Sequence, residues 1–194
     1  MGRPVFLEAG VDEAGRGPLA GPVVVAAVIL PSNHELDSLD DSKRLTVLKR
    51  ERLAPQIENQ AIAYAVEYVE VDEIDRVNIL QATMNGMQRA VENLQPAPQH
   101  ALIDGNRAPG LPCKVTTVVG GDALIASISA ASVLAKVYRD RLMLSMHDLY
   151  PDYGFDRHKG YPTAFHLERL EALGPCPIHR KSFAPVRKVI GLKN

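Results

Sequence analysis

Cysteine is scarce in this chain: Cys113 and Cys176 are the two in 194 residues, and neither belongs to a CxxC or finger-like pair. That excludes a disulfide-built scaffold and a cysteine-ligated finger, and it points to a reduced, cytoplasmic setting. Long hydrophobic runs are missing too. The apolar stretch at residues 23–30 is far short of the roughly 20 residues that span a bilayer. Met1 is followed by no charged-then-apolar leader, so no membrane association is expected. The six histidines form no HExxH or other ligand spacing, and nothing marks a nucleophile elbow. A zincin or a Ser–His hydrolase is therefore not arguable from the sequence. Internal repeats and low-complexity tracts are absent as well.

What is present suits one globular α/β domain. Hydrophobic residues make up 46% of the chain, ample for a core. The net charge of −1 argues against an indiscriminate polyanion binder, but its distribution is uneven. Residues 157–194 hold eight Lys/Arg against two acids, a net of +6, which leaves −7 on residues 1–156. An acidic body with a basic flank fits a protein that follows a nucleic-acid backbone; a solvated helix face with a basic tail gives the same count.

Periodicity predicts strands over residues 5–11, 22–30, 61–69, 101–104 and 114–119. It predicts helices over 47–59, with Thr46 as N-cap and Pro55 inside, over 72–94, over 123–149 and over 163–173. Residues 37–44 read as a polar loop. The order fits a mixed five-stranded sheet flanked by helices, with a catalytic body at 1–150 and a C-terminal helical, basic extension at 151–194 packed on it as a single unit. Four acids stand at element ends: Asp12 and Glu13 where the first strand runs out, Asp104 after the fourth, and Asp122 at the start of a helix. Ligands gather at strand ends in open α/β sheets. Directly after the acidic pair, Gly15-Arg16-Gly17-Pro18-Leu19-Ala20-Gly21 combines close backbone approach with a forked cation suited to phosphate. The residues alone leave two readings open, a polar strand end before a tight turn and a divalent-metal site working on a phosphodiester. Hard oxygen ligands of this kind favour Mg²⁺ or Mn²⁺ over zinc. On a regular strand Asp12 and Glu13 point to opposite faces. Either the strand turns at Glu13, or Glu13 contributes differently, through its backbone carbonyl for example. Asp140, one face of the long helix but about 27 Å along it from Asp122, is expected to pair with Arg139, Arg141 or a tail cation.

Asp12-Glu13-Ala14-Gly15-Arg16-Gly17 resembles the signature of bacterial ribonuclease HII, the type 2 ribonuclease H. The resemblance continues through Asp41-Ser42-Lys43, Ile103-Asp104-Gly105, Gly121-Asp122, Ala135-Lys136-Val137-Tyr138-Arg139-Asp140, His158-Lys159-Gly160-Tyr161 and His179-Arg180-Lys181-Ser182-Phe183, in the family's order over nearly the whole chain. It implies the ribonuclease H-like fold and a metal-dependent endoribonuclease. Its partners would be RNA–DNA hybrids and DNA duplexes with an embedded ribonucleotide, cut on the 5′ side to leave 3′-hydroxyl and 5′-phosphate ends. It also implies Asp12, Glu13, Asp104 and Asp122 as the catalytic and metal-binding quartet for two divalent ions, and Tyr161 as the reader of the RNA–DNA junction.

A reader of the 2′-hydroxyl is what separates RNA from DNA. Residues 15–17 are one candidate and Tyr161 the other. Arg16, Lys43, Lys159, Arg180 and Lys181 are candidate phosphate contacts, although solvated cations look identical in sequence. The rival readings are another two-metal phosphodiesterase or nuclease on the same fold and a non-catalytic hybrid-binding module, against which four acids in the contact zone speak. A monomer is the expectation.

Overall fold

The structure, a computed structural model, describes residues 6–36, 39 and 45–191. Lys43 and most of the loop expected at 37–44 lie outside the described residues, as does the start of the first expected strand. In chain order the elements are β1 (Glu8–Ala14), β2 (Val23–Ile29), α1 (Val47–Gln60), β3 (Ala63–Val69), α2 (Val71–Val77), α3 (Ile79–Glu92), β4 (His100–Asp104), β5 (Lys114–Val118), α4 (Ala126–Leu149), α5 (Phe155–His158), α6 (Ala164–Leu173) and α7 (Ala184–Val189).

The five strands form one mixed sheet in the order β3-β2-β1-β4-β5. β1 lies at its centre, antiparallel to β2 and parallel to β4. Every residue of β2 is buried, as its unbroken apolar sequence requires of a strand covered on both faces. On one face Val23, Val25 and Ala27 pack with Ala9, Val11 and Ile103 under α2 and α3. On the other, Ala26 and Val28 pack with α1 and the small-residue stretch of α4. That stretch lets α4 cross β1 very closely: a Cβ on Gly10 would stand 2.1 Å from the Ser127 carbonyl carbon. The residues after α4 fold back on the body, and Ala20 bridges to His179.

Three sequence expectations change. The first strand continues through Ala14, so Asp12 and Glu13 lie within it and not beyond it; Ala14 still pairs with Val24. The helix expected over 72–94 is two helices broken at Asn78, whose backbone is left-handed (φ 70°). Its side-chain oxygen accepts from the Leu80 and Gln81 amides at 3.0 Å and so caps α3, a stop that hydrophobic spacing does not register. The long helix starts at Ala126, with Asp122 in a separate 3₁₀ turn over Gly121–Ala123. Thr46 does cap α1, accepting from the Lys49 amide at 3.3 Å, and Pro55 lies inside that helix. Among the described residues no helix is long and apolar enough to cross a membrane.

Candidate active site

The parallel register of β1 and β4 brings the acids together. Val11 pairs with Ile103, so Asp12 follows Val11 on the central strand as Asp104 follows Ile103 beside it. Asp122 is placed by the turn after β5, and its amide donates to Asp104 Oδ1 at 3.4 Å. Because β1 stays regular, its two acids point to opposite faces. Asp12 turns towards α4, where the Ser132 hydroxyl donates to it, and Lys136 Nζ lies 2.5 Å from Ser132 Oγ. Glu13 turns towards α3. It lines a cleft of about 340 Å³ with Arg16, Leu80, Met84, Met87, Asp104 and Gly105, and it pairs with Arg16 at 3.3 Å.

Burial makes this carboxylate group costly. Asp12 is 6% exposed, and its carboxyl is pushed up to about 7, first by desolvation and then by the neighbouring charges of Glu13 and Asp104. Glu13 is also raised, by burial and Asp104, while the Arg16 guanidinium pulls it back. Asp104 therefore acts on both acids of β1 from the adjacent strand. Among the described residues no three His, Cys, Asp or Glu side chains are already gathered closely enough to hold one ion. The acids are neighbours that repel, and a cation between them would lower the cost of each.

Two buried arginines shape the loop after β1. Arg139 of α4 donates through Nε to the Pro22 carbonyl and through an Nη to that of Ala20, both at 3.1 Å. Arg180 donates to the carbonyls of Gly21 at 2.9 Å, Arg16 at 3.0 Å and Gly15 at 2.6 Å. Gly15 is left-handed (φ 95°), and a Cβ there would fall 2.0 Å from Arg139 Nε, so only glycine allows the arginine beneath. With its carbonyls drawn inward onto two cations, the loop is held over a fixed positive potential. The second candidate reader meets it here. A Cβ on Gly17 would lie 3.5 Å from Tyr161 Cε1, Arg139 Cζ is 5.9 Å from the Tyr161 ring centre, and the Leu19 amide donates to the Gly160 carbonyl at 2.8 Å. The Tyr161 ring keeps one face to solvent, at 47% exposure.

The remaining cations divide. Arg16 and Lys181 are exposed. The Lys159 ammonium donates to the Asp156 carbonyl, which ties it to its own turn. Arg180, expected on the basic flank, is fully buried and serves the loop instead, because three carbonyls brought in from residues 15–21 need donors. The segment after Arg180 folds back onto Asp75, to which Lys181 and Ser182 donate their amides at 2.9 and 2.8 Å. Asp140 pairs with Arg50 at 3.6 Å, a partner from α1 that helical spacing within α4 does not reveal. The clamp formed by Arg139 and Arg180 and the Ser132 contact to Asp12 escaped the sequence reading; the one available signal was a glycine loop with more carbonyls than local donors. Arg180→Ala should therefore lower stability by about 3 kcal/mol or more in urea denaturation, since it strips a buried charge and leaves carbonyls unsatisfied. Lys181→Ala should stay within about 0.5 kcal/mol of the parent. Equal, small effects would return Arg180 to the exposed flank.

A mixed sheet of this topology, carrying acids at neighbouring strand ends with helices on both faces, defines an α/β protein of the ribonuclease H-like class. The family model for ribonuclease HII matches residues 9–186. The ribonuclease HII of Bordetella avium is 58% identical over 179 residues, covering 92% of this chain and 89% of that protein. The crystal structure of ribonuclease H2 from Pyrococcus horikoshii OT3 superposes with a TM-score of 0.83 at 30% identity, covering 95% of this chain and 97% of the other. Bst-RNase HIII, solved in complex with Mn²⁺, shares the fold at a TM-score of 0.76 and 19% identity, over 96% of this chain and 70% of that one. The chain belongs to the ribonuclease HII family. It is a hydrolase, an endoribonuclease acting on RNA–DNA hybrids.

Proposed function

We propose that this ribonuclease also incises DNA duplexes at an embedded ribonucleotide, with Asp12, Glu13, Asp104 and Asp122 as the ligands of two divalent ions. The observation that carries the reading is the meeting of the Tyr161 ring with the Gly15–Gly17 backbone, which follows the Asp12-Glu13 pair directly in the chain. The donor set fits Mg²⁺ or Mn²⁺: all four side chains offer hard oxygens, and Asp12 and Glu13 are raised by burial and by neighbouring carboxylates, costs that a bound cation would lower. When bound, such ions would supply the charge neutralisation that lets a water attack phosphorus and the 3′-oxygen leave.

The chain's own residues do the rest. Asp12 and Asp104, on adjacent strands, and Asp122, tied to Asp104 by its amide, fix the carboxylates on a rigid frame. Although β1 does not turn, the Glu13 side chain lines the same cleft as Asp104 on the α3 side and lies within reach of its charge, so we assign it a ligand role through the side chain. The loop at 15–17, with the Gly15 and Arg16 carbonyls committed to Arg180, turns its other polar groups to the sugar and phosphate of the ribonucleotide. The positive ground beneath it favours the phosphate. The exposed face of Tyr161 packs on the next sugar, where a 2′-hydroxyl ahead of a deoxyribose marks the junction. Arg16 and Lys181 are the exposed candidates for backbone contacts; Lys159 is held by its own turn, and Lys43 lies outside the described residues. Residues 151–194 are read as an extension packed on the 1–150 body in one unit, supported by the shared Leu19, Leu170 and Val186 cluster. The setting proposed is cytoplasmic, as a monomer, in line with two free cysteines.

Tyr161→Ala tests the recognition. It should lower kcat/KM on a duplex with one ribonucleotide about tenfold more than on a long hybrid, which offers many registers. An equal loss on both substrates would make Tyr161 a general packing residue.

A further inference from the structure

We propose that His166 is a positioning residue for Tyr161, locked in one tautomer by a hydrogen-bond chain that begins at Cys176. The inference rests on the reading of Tyr161 given above. His158, His166 and His179 have no part in the carboxylate chemistry, yet all three are buried, at 9, 0 and 1% exposure, and they meet directly beneath the Tyr161 turn.

The two ends of the chain fix its direction independently. His166 Nδ1 lies 2.9 Å from the Tyr161 carbonyl oxygen; a carbonyl only accepts, so Nδ1 carries the proton. At the other end, His179 Nδ1 lies 3.0 Å from the Cys176 amide; a backbone N–H only donates, so that nitrogen is bare. Between them the two Nε2 atoms are 3.1 Å apart, and both ends place the shared proton on His179. The Cys176 thiol, also 3.1 Å from His179 Nδ1, extends the same chain. A second proton on either ring would set N–H against N–H.

The surroundings hold this arrangement. His158 stacks on His166 at 4.4 Å and 13°. Its Nε2 faces the Tyr153 carbonyl at 2.8 Å, and its Nδ1 accepts from the Gly160 amide at 3.1 Å. Phe155 closes edge-on against both rings, and Tyr153 tilts over His179. Burial disfavours the charged form of all three rings; His179 is pulled down to about 4, by desolvation first and then by His166. Asp156 and Lys159 act on His158 in opposite senses.

The peptides on both sides of Gly160–Tyr161 are thus pinned by imidazoles, and the Gly160 carbonyl is joined to Leu19 in the glycine loop. The Tyr161 carbonyl also accepts from the Thr163 amide at 2.8 Å. His166 therefore sets where the exposed ring stands relative to residues 15–17, and a displacement of about 1 Å at such a contact is enough to matter to rate.

The test compares His166→Phe, His166→Asn and Tyr161→Ala on a duplex with one ribonucleotide and on a long hybrid. His166→Phe keeps the ring but loses the donor; it should reproduce the selective loss of Tyr161→Ala, about tenfold greater on the single ribonucleotide. His166→Asn places an amide N–H near Nδ1 and should recover to within about twofold of the parent. Alongside, ¹⁵N–¹H correlation of the wild-type imidazoles should find the proton on Nδ1 of His166 and on Nε2 of His179. A selective loss in Tyr161→Ala without one in His166→Phe overturns the positioning role and leaves Tyr161 as the reader. No selective loss in Tyr161→Ala removes both. The opposite tautomer at either ring overturns the proposal even if His166→Phe fails to fold.

Discussion

Asp12→Asn should reduce cleavage by about 10³-fold or more while raising the melting temperature of the metal-free protein. The first effect follows from removing a ligand charge at the centre of the sheet, where a divalent ion would contribute several kcal/mol of transition-state stabilisation. The second follows from the cost of burying that charge. An Asp of ordinary value 3.8 is held up to about 7, which caps the penalty at about 4 kcal/mol. With partial solvation of the cleft the recoverable part is about 1–2 kcal/mol, or roughly 2–8 °C for a domain of this size. Because the folded value is raised, the stabilising contribution of the protonated acid is fully present below pH 4. It is lost as pH rises through 7. The advantage of Asn should accordingly grow between pH 4 and 7 and be flat above. Calorimetric melts in EDTA at pH 5 and pH 8, paired with turnover, check both halves. Wild-type turnover would remove Asp12 from the site. Asp104→Asn and Asp122→Asn should lose comparable activity and remain folded.

Removing divalent ions should be as severe. EDTA should abolish cleavage, Mg²⁺ or Mn²⁺ should restore it, and Ca²⁺ should not. Calcium accepts longer bonds and looser coordination, so it can occupy carboxylates without the octahedral geometry that the smaller ions impose. Single-turnover assays in chelator, then with each ion added back, read this directly. Robust cleavage in excess EDTA would overturn the assignment of the four acids as metal ligands.

Much of the frame was legible in the sequence because local pattern and global burial agree. The unbroken apolar run of β2 announces a strand buried on both faces, and it is one. The glycines after Glu13 marked the loop that the structure wraps around Arg139 and Arg180. What could not be read depends on partners distant in sequence or on a single backbone angle. Asn78 sits inside a sustained amphipathic pattern, and only its left-handed φ and double cap split the helix. Arg180 lies in a run of cations that looks solvated; its burial is decided by carbonyls more than 150 residues earlier. The three histidines share no spacing because they come from three separate segments, and the carbonyl and amide that fix their protons belong to the backbone. The regular course of β1 through Glu13 is set by its pairing with Val25, which the motif by itself cannot show.

The central claim is that the carboxylates and the Gly15–Gly17 and Tyr161 pair act together on one ribonucleotide. It is tested most directly by incubating the protein and Mg²⁺ with a DNA duplex carrying a single ribonucleotide, beside an all-DNA duplex of the same sequence, and mapping the ends. The expected result is one incision on the 5′ side of the ribonucleotide, leaving a 3′-hydroxyl and a 5′-phosphate, with the all-DNA duplex intact. Cleavage of both duplexes at similar rates, or of neither while long hybrids are cut, would contradict it.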